Sequence, residues 1–376
     1  MIVDRFRPAP AALLLFAALA FHAACGASPA FADTLTLTRP ITATCVTDDS
    51  AVFTVQDGEL HPVSGQFMIF PPGSAALRPQ TTIPADAEPG QIVKAFVWSP
   101  EHLDSLTLEL GTPGKTPLSR TVGFQDAAGG SETPALWAAF IGVPTWAAAS
   151  TTSLTLKAMA GGRTYLQIVP FTVDRRVFFS DKLGLDADLT HLVAGSDAQK
   201  VRETRILIQV ITTPHAEALY ETGTLLTPFA GGRRTSGYGD RRELDYTDGT
   251  HANTIHLGVD IASPEGTPVP CSGRGRVVFA GPRILTGNTI IVEHLPGLFS
   301  VYYHLSAIGV SVGDMVDRGE VIGKVGMTGF ATGPHLHWEI QVMGVAVDPD
   351  EAAKVPLLDK PADFPDIVKA SSTEGR

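Results

Sequence analysis

Short apolar or alternating segments of four to eight residues fill the chain from Asp33 to about Val173. Examples are AVFTVQD, IVKAFVWS, SLTLKAM and YLQIVPFTV, which turn-forming sequences such as PPGS, GTPGKTP and AGGRT separate. Alternation with a period of two residues is typical of strands with one buried face, and many short strands at this spacing favour two packed sheets. We therefore predict an immunoglobulin-like β-sandwich over residues 33–175.

The pattern changes over residues 176–227, which we interpret as a connector. Apolar positions there recur every three or four residues among mixed charges, as in QKVRETRILIQV, and this spacing predicts a partly helical segment. From residue 228 the glycine-punctuated strand pattern returns, for example in NTIIVEHL and FSVYYHLS. It predicts a second, antiparallel β domain over residues 228–352 and a C-terminal tail over residues 353–376. The expected fold class is thus mainly β.

Composition fits this prediction and argues against one class of partner. The chain has 376 residues, of which 44% are hydrophobic and 18% charged, so it can form two globular domains with real cores. Its 37 glycines and 28 prolines agree with many turns. A net charge of −11 argues against nucleic acid as a partner, because phosphate backbones are bound by clustered Lys and Arg.

The N-terminus has the pattern of a secretory signal. Arg5 and Arg7 precede an apolar run that is too short to span a bilayer, and small residues follow. Two processing interpretations remain open. Cleavage at Ala-Phe-Ala would remove residues 1–32 as a signal peptide, whereas a lipoprotein signal over residues 1–24 would leave a lipid on Cys25 and attach the protein to a membrane. Both place the protein outside the cytoplasm, in the periplasm or outer envelope of a bacterium.

Two cysteines remain in the mature chain, Cys45 and Cys271. An oxidising compartment would permit a disulfide between them. Because they fall in different predicted domains, we favour two separate buried thiols.

The segment TGPHLHWEI places two histidines one residue apart in a predicted strand. Residues i and i+2 of a strand point to the same face, with about 6.5 Å of rise between them. His335 and His337 therefore share one face, while Leu336 and Trp338 point to the other, as a core requires.

A second group lies in HLGVDIASPEGTPV. In a straight strand His256 and Asp260 would be about 13 Å apart, too far to bind one ion. If they share a metal, the backbone must turn between them, and we expect Gly258 to permit that turn. On its own this spacing is a weak signal.

Together these groups have the composition of a catalytic zinc site. His256, Asp260 and one histidine of the pair supply two nitrogens and one oxygen, which leaves a fourth position for water. Zinc lowers the pKa of such a water to about 7, and the other histidine of the pair can then accept a proton. His304, in SVYYHLS, is a further imidazole for the same pocket. His251 and His294 are predicted to be surface residues.

From about residue 228 to 349 the sequence resembles the LytM/lysostaphin family of zinc metallopeptidases, which cleave peptide bonds in bacterial peptidoglycan. The resemblance runs in order through TSGYGDRR, HLGVDIASPEGTPV, GRGRVVFAG, GNTIIVEHLPGLFSVYYHLS and VGDMVDRGEVIGKVGMTGFATGPHLHWEI. It implies that His256, Asp260 and His337 bind Zn²⁺. It also implies that His304 and His335 are the catalytic histidines.

The resemblance implies a small antiparallel β structure with a groove across its sheet. Asn288, Tyr302 and Thr328 lie in the matching segments and are candidates for groove residues that face the substrate. The stretch ELDYTDGTHANTI before His256 is longer and more polar than the family pattern, and we expect it to line the groove and to shape specificity.

The sequence therefore predicts a secreted zinc metalloendopeptidase that hydrolyses peptide cross-links of peptidoglycan. The absence of any glycine-bridge signal and the signal sequence favour direct cross-links in a diderm bacterium. The alternative is a catalytically inactive scaffold of the same fold that activates other cell-wall hydrolases; an adhesin-like structural protein would leave the histidines unexplained. The N-terminal domain could dock the wall, cover the groove or act as a spacer.

Overall fold

The structure is a computed structural model that describes residues 52–56, 59–63, 84–99, 102–125, 135–161, 163–194 and 197–358. The predicted signal segment, with Cys25 as the possible lipid site, and Cys45 lie outside the described residues. So does residue 359 onward, most of the predicted tail. Within the described residues, no helix combines the length and apolarity that a membrane crossing would need.

In the described parts of residues 52–173, every regular element is a strand. Their bounds are β1 Val52–Gln56, β2 Glu59–Val63, β3 Asp86–Ala87, β4 Ile92–Ser99, β5 Ser105–Gly111, β6 Ser119–Val122, β7 Phe124–Gln125, β8 Ala135–Gly142, β9 Ser150–Ala160 and β10 Arg163–Val173. Strands β1 and β2 form a separate hairpin. The others form a five-stranded sheet in the order β3-β10-β9-β5-β6 and a three-stranded sheet in the order β4-β8-β7.

These two sheets pack face to face. Alternate side chains of β5 and β9, such as Leu108 and Leu156, meet Ala139 and Ile141 of β8 in one buried cluster. The arrangement is a β-sandwich within residues 84–173, as the period-two pattern predicts. Its immunoglobulin-like character stays a prediction.

The connector carries the two longest helices of the described chain, in the region where the three- and four-residue spacing predicts helix. Its elements are β11 Ser180–Gly184, α1 Ala187–Ala194 and α2 Ala198–Thr212. Asp197 caps α2, because its side chain accepts a hydrogen bond from the backbone N–H of Gln199 at 2.7 Å. Strand β11 agrees with the expectation that only part of the connector is helical.

The C-terminal domain is built from the remaining strands and one short helix. These are β12 Arg233–Ser236, β13 Arg241–Asp245, β14 His251–Ile255, β15 Val259–Ala262, β16 Pro268–Pro270, β17 Gly275–Arg283, β18 Gly287–Leu295, β19 Leu298–Leu305, β20 Ala307–Ile308, β21 Met315–Val316, β22 Val321–Lys324, β23 His335–Val342, β24 Val345–Val347 and α3 Pro349–Ala352. The main sheet has the order β12-β15-β23-β19-β18-β17-β21, with β24 paired to β23. A smaller sheet has the order β16-β22-β20.

A third small sheet, in the order β11-β13-β14, stands beside the main sheet. The polar stretch ELDYTDGTHANTI, which we expect from the sequence to line the groove, belongs to this sheet. It folds as the hairpin β13–β14. Leu244 and Ala252 of this hairpin pack with Leu185 and Val193 of the connector, and Phe330 from the loop before β23 packs against the same cluster. The connector is thus part of the surroundings of β23.

The main core lies under the sheet that carries β15, β19 and β23. Its largest fully buried side chains are Trp338 and Tyr302. Burying a side chain of this size stabilises a fold by roughly 1.5–3 kcal/mol relative to leaving it exposed. Cys271 belongs to this core as a free, buried thiol.

The sandwich and the C-terminal domain share one interface. Phe96 and Phe140 of the sandwich belong to the same buried cluster as Val347 on β24. Polar contacts close the same interface: Lys94 Nζ donates to the carbonyl oxygen of Pro356 at 2.6 Å. The sandwich therefore packs at the end of β23 that lies away from His335.

Candidate metal centre and catalytic site

Three side chains that the sequence predicts as metal ligands meet above the main sheet. Strands β15 and β23 pair antiparallel with Asp260 opposite His337, so the two side chains lie next to each other. His256 follows β14 and reaches the same point. Its Nε2 lies 3.0 Å from Asp260 Oδ1 and 2.9 Å from His337 Nδ1, and His337 Nδ1 lies 2.9 Å from Asp260 Oδ1. All three are buried, and their donor atoms could hold one metal ion.

The outer ring nitrogens of both histidines are already engaged. His256 Nδ1 lies 2.7 Å from the carbonyl oxygen of Gly237, to which it can only donate. His337 Nε2 lies 2.8 Å from Glu339 Oε1, again an acceptor. In the neutral tautomers this leaves bare nitrogens, His256 Nε2 and His337 Nδ1, facing one carboxylate oxygen. Three lone pairs that converge in a buried site repel one another unless a cation lies among them, so the residues fit a bound metal.

The carboxylate of Asp260 divides its two oxygens between different partners. Oδ1 faces the histidines, while Oδ2 accepts a hydrogen bond from Arg242 Nη2 at 3.2 Å. Burial would raise the pKa of Asp260, but the hydrogen bonds with His256 and His337 hold it well below its usual range. Before a cation binds, burial lowers the pKa of His337, but Asp260 and Glu339 outweigh it and raise this pKa to about 9, so a metal ion must displace the proton on Nδ1 when it binds.

Gly258 lies in the bend between His256 and Asp260, as the sequence predicts, but the reason for a glycine is different. Its φ is not in the left-handed region, so the turn itself does not demand glycine. A Cβ there would instead lie 2.4 Å from the carbonyl oxygen of Trp338 and 2.8 Å from His337 Nε2. Glycine is needed because β23 passes so closely.

His304 and His335 face each other beside this cluster. Their ring centroids are 4.8 Å apart, and His335 Nε2 lies 3.6 Å from Asp260 Oδ1. His335 Nδ1 donates to the carbonyl oxygen of Gly333 at 2.8 Å, and His304 Nδ1 donates to that of Thr328 at 2.8 Å. Each ring therefore keeps a bare Nε2 that can accept a proton.

The backbone of His304 explains why it reaches the site. Strand β19 pairs with β23 so that Tyr303 lies opposite His337 and Tyr302 opposite Trp338. Simple alternation would send His304 to the core with Tyr302. Its φ of 61° is left-handed, which is rare for a residue with a Cβ, and this turns the side chain towards His335. Burial, with the nearby His337 and His335, lowers the pKa of His304 to about 3.

The three predicted groove residues differ in where their side chains lie. Tyr302 is fully buried, and its hydroxyl accepts a hydrogen bond from the backbone N–H of Ser272 at 2.7 Å, so its prediction as a groove residue is wrong. Asn288 Nδ2 and Thr328 Oγ1 both donate to the carbonyl oxygen of Leu305 at 2.9 Å. These two side chains fasten the loop whose Thr328 carbonyl holds His304.

Two histidines outside the site differ from each other. His251 is exposed, as expected. His294 is fully buried, so its prediction as a surface residue is wrong: its Nδ1 donates to the carbonyl oxygen of Arg274 at 2.9 Å, and its Nε2 lies 2.7 Å from Ser300 Oγ.

Sequence comparison agrees with this geometry. Residues 254–349 match the sequence profile of Peptidase family M23. This stretch forms an M23 peptidase domain. It contains all five residues of the candidate site, from His256 to His337, and all of β15, β19 and β23.

Curated relatives match part of the chain. The DD-carboxypeptidase/endopeptidase Mpg of Neisseria meningitidis is 44% identical over 103 residues, which are 27% of this chain and 24% of that protein. The peptidoglycan DD-endopeptidase ShyB of Vibrio cholerae is 33% identical over 151 residues, 37% of this chain and 35% of that protein. The chain thus spans about a quarter to a third of the length of these relatives.

Among solved structures, the catalytic domain of lysostaphin from Staphylococcus simulans is 35% identical. The match covers 32% of this chain and 91% of that one, with a TM-score of 0.29.

The sequence analysis did not identify three residues that contact the predicted metal ligands. Glu339 follows His337 by two residues, so strand alternation could have found it. Tyr303 stacks on His337 with centroids 5.1 Å apart, which follows only from the pairing of β19 with β23. Arg242 lies on the hairpin β13–β14, and no spacing rule relates it to Asp260.

Proposed function

We propose that the protein is a zinc metalloendopeptidase that hydrolyses peptide cross-links of bacterial peptidoglycan. The observation that carries this proposal is the convergence of His256 Nε2, Asp260 Oδ1 and His337 Nδ1 next to His304 and His335. Two nitrogens and one oxygen with room for a further ligand is the composition of a catalytic zinc site rather than a structural one. Membership of residues 254–349 in Peptidase family M23 supports the same reaction class.

The chain's own residues suggest how the chemistry is divided. A bound Zn²⁺ at the three ligands would supply Lewis acidity for the scissile carbonyl and for a water molecule. We assign His335 as general base. Its Nδ1 donates to the Gly333 carbonyl, which holds the ring so that the bare Nε2 lies 3.6 Å from Asp260 Oδ1. It takes a proton from the attacking water.

His304 is the second imidazole beside the metal ligands. Its Nδ1 is fixed by Thr328, so only Nε2 can gain or lose a proton during the reaction. Because the pKa of His304 is lowered to about 3, its Nε2 stays bare at neutral pH and can accept a hydrogen bond that orients the attacking water. His335 then passes the proton that it took from the water to the leaving nitrogen as the C–N bond breaks, so this proton ends on the new amino terminus, and the water oxygen forms the new carboxyl group.

The names of the relatives guide the choice of bond. ShyB is a peptidoglycan DD-endopeptidase, so we infer that direct cross-links between D-amino acids are the substrate here too. The predicted signal sequence agrees with work outside the cytoplasm, and we propose a periplasmic or envelope location, with lipidation at Cys25 as the open alternative. The mass of the mature N-terminus from a native membrane or periplasmic fraction tests this directly.

Purified sacculi test the activity. Zinc-loaded protein should release soluble fragments whose masses show cut cross-links. His335→Ala should retain zinc and lose turnover, whereas His256→Ala should lose both, because only the latter removes a metal ligand. Zinc is counted by atomic emission. Full zinc occupancy with no released fragment would point to the inactive scaffold, and loss of zinc in His335→Ala with retention in His337→Ala would overturn the assigned roles.

A further inference from the structure

The hairpin β13–β14 and the strands β12 and β15 form one long, bent pair. Strand β12 pairs with β15, and β13 pairs with β14, on the same side of the continuous run from residue 251 to 262. On its other side, β15 pairs with β23, the strand of His335 and His337. The corresponding edge of β14 pairs with no strand among the described residues.

The main-chain groups on that edge can be identified from the ladder. Tyr246 N–H donates to the Thr250 carbonyl at 2.9 Å, and His256 N–H donates to the Asp240 carbonyl at 2.9 Å. Residues of an antiparallel strand alternate between bonding to one neighbour and facing the other side. The even-numbered residues of β14 therefore bond to β13. The N–H and C=O groups of its odd-numbered residues, His251, Asn253 and Ile255, face the open edge.

This edge leads directly into the metal ligands. Strand β14 ends at Ile255, and the next residue is His256. At about 3.3 Å per residue, Asn253 lies about 10 Å along the strand from His256. The partner strand is tied to the same centre, since Arg242, opposite Thr254, donates to Asp260. A peptide alongside β14 would thus run towards the site.

The edge also lacks the usual protection against pairing. Edge strands that must stay single are commonly shielded by Lys, by Pro or by a bulge. Strand β14 reads HANTI, with neither residue type, and its register with β13 is regular over all five pairs. His251 and Asn253 are exposed.

We propose that the open edge of β14 binds the substrate peptide as an added strand. The inference rests on the proposed function and names its substrate-binding element: main-chain groups of Asn253 and Ile255 pair with a peptide stem of peptidoglycan and direct it to the metal centre. Main-chain pairing gives affinity that does not depend on the side chains of the peptide. The hairpin then sets how far from the scissile bond the stem is held.

Proline at position 253 tests the pairing. Asn253→Pro removes the outward N–H without touching the ladder to β13, because that N–H faces the open edge. Asn253→Ala, the matched control, removes the same side chain and keeps the N–H. The substrate is a purified cross-linked muropeptide dimer. We expect the kcat/KM of Asn253→Pro to be about tenfold below that of Asn253→Ala, the effect of one hydrogen bond.

Zinc content and melting temperature establish that both variants fold and load alike. If the native enzyme is active and the two variants have equal kcat/KM, the inference about β14 is wrong while the proposed function stands. An inactive native enzyme would instead refute the proposed function, so the two failures are distinct.

If the proline variant does not fold, hydrogen exchange of the native, zinc-loaded chain tests whether the β14 edge pairs with a peptide. The probe is a muropeptide dimer whose scissile amide is replaced by a methylene-amine. At saturation the amides of Asn253 and Ile255 should slow at least tenfold, while those of Ala252 and Thr254 should be slow with or without the probe. Odd-numbered amides that do not change, or that are already protected in the free chain by another segment of it, would refute the proposal.

Discussion

The buried histidine His294 should make the M23 domain sensitive to mild acid. It lies in the core, on β18, where burial lowers its pKa to about 4; the carbonyl of Arg274 and the charge of Glu221 offset this only in part. In the unfolded chain the same imidazole titrates near 6.5. Between these two pH values the unfolded state binds more protons than the folded state, so stability falls as the pH falls.

The size of the effect follows from the two pKa values. At pH 5 the unfolded imidazole is about 97% protonated and the folded one about 10%, which costs the folded state about 2 kcal/mol relative to pH 8. The loss levels off below pH 4, near 3 kcal/mol, because both states are then protonated. For a domain of this size, about 2 kcal/mol is a large fraction of the total stability.

The assay compares His294→Asn with the native chain in the presence of a chelator, so that metal release does not contribute. Asparagine can still donate to the Arg274 carbonyl but does not titrate. Urea unfolding is followed at pH 8 and pH 5 by hydrogen exchange of residues 287–305, which report on the core of this domain. His191→Asn, at an exposed position of α1, is the control.

We expect the native chain and His191→Asn to lose about 2 kcal/mol more between pH 8 and pH 5 than His294→Asn does. The absolute stability of His294→Asn is irrelevant, since only the difference between the two pH values enters. Equal losses in all three proteins would show that His294 is protonated in the folded state and would refute the reasoning.

Three further predictions concern the metal centre. Gly258→Ala should weaken zinc binding about 10- to 100-fold in chelator competition, because its Cβ forces β23 away, whereas Gly184→Ala, in open space, should not. Glu339→Gln should also weaken zinc binding about tenfold or more, since His337 loses its charged partner; unchanged affinity would contradict this. Arg242→Gln should lower zinc affinity and kcat together, and Arg242→Lys should restore part of both if the charge on Asp260 Oδ2 matters.

The sequence allowed the ligands to be predicted where strand geometry alone decides the outcome. His335 and His337 share a face because they are two residues apart, and the structure places both at one site. Asp260 joins them, as the resemblance implied, and the structure shows that the pairing of β15 with β23 brings it there. The turn at Gly258 was expected, but its cause, the close approach of β23, depends on a contact across the sheet.

Other features could not be read from the pattern because tertiary structure overrides it. Alternation would place His304 in the core, and only its left-handed backbone brings it to the site. A polar core site for His294 requires the Arg274 carbonyl and Ser300, which lie on other strands or turns. Tyr302 looked like a groove residue from its place in a matching segment, although its own alternation with Tyr303 sends it inward.

The protonation pattern of the site depends on loops more than on side chains. Of the four site histidines, three donate Nδ1–H to main-chain carbonyls, which no side-chain substitution can remove. The accepting carbonyls belong to Gly237, Gly333 and Thr328. His337 is the exception, since its partner is the Glu339 side chain. The loop that supplies the Gly333 carbonyl also carries Phe330, which packs against the cluster formed by hairpin β13–β14 and the connector, so a shift of this loop would change the contact that fixes the His335 tautomer.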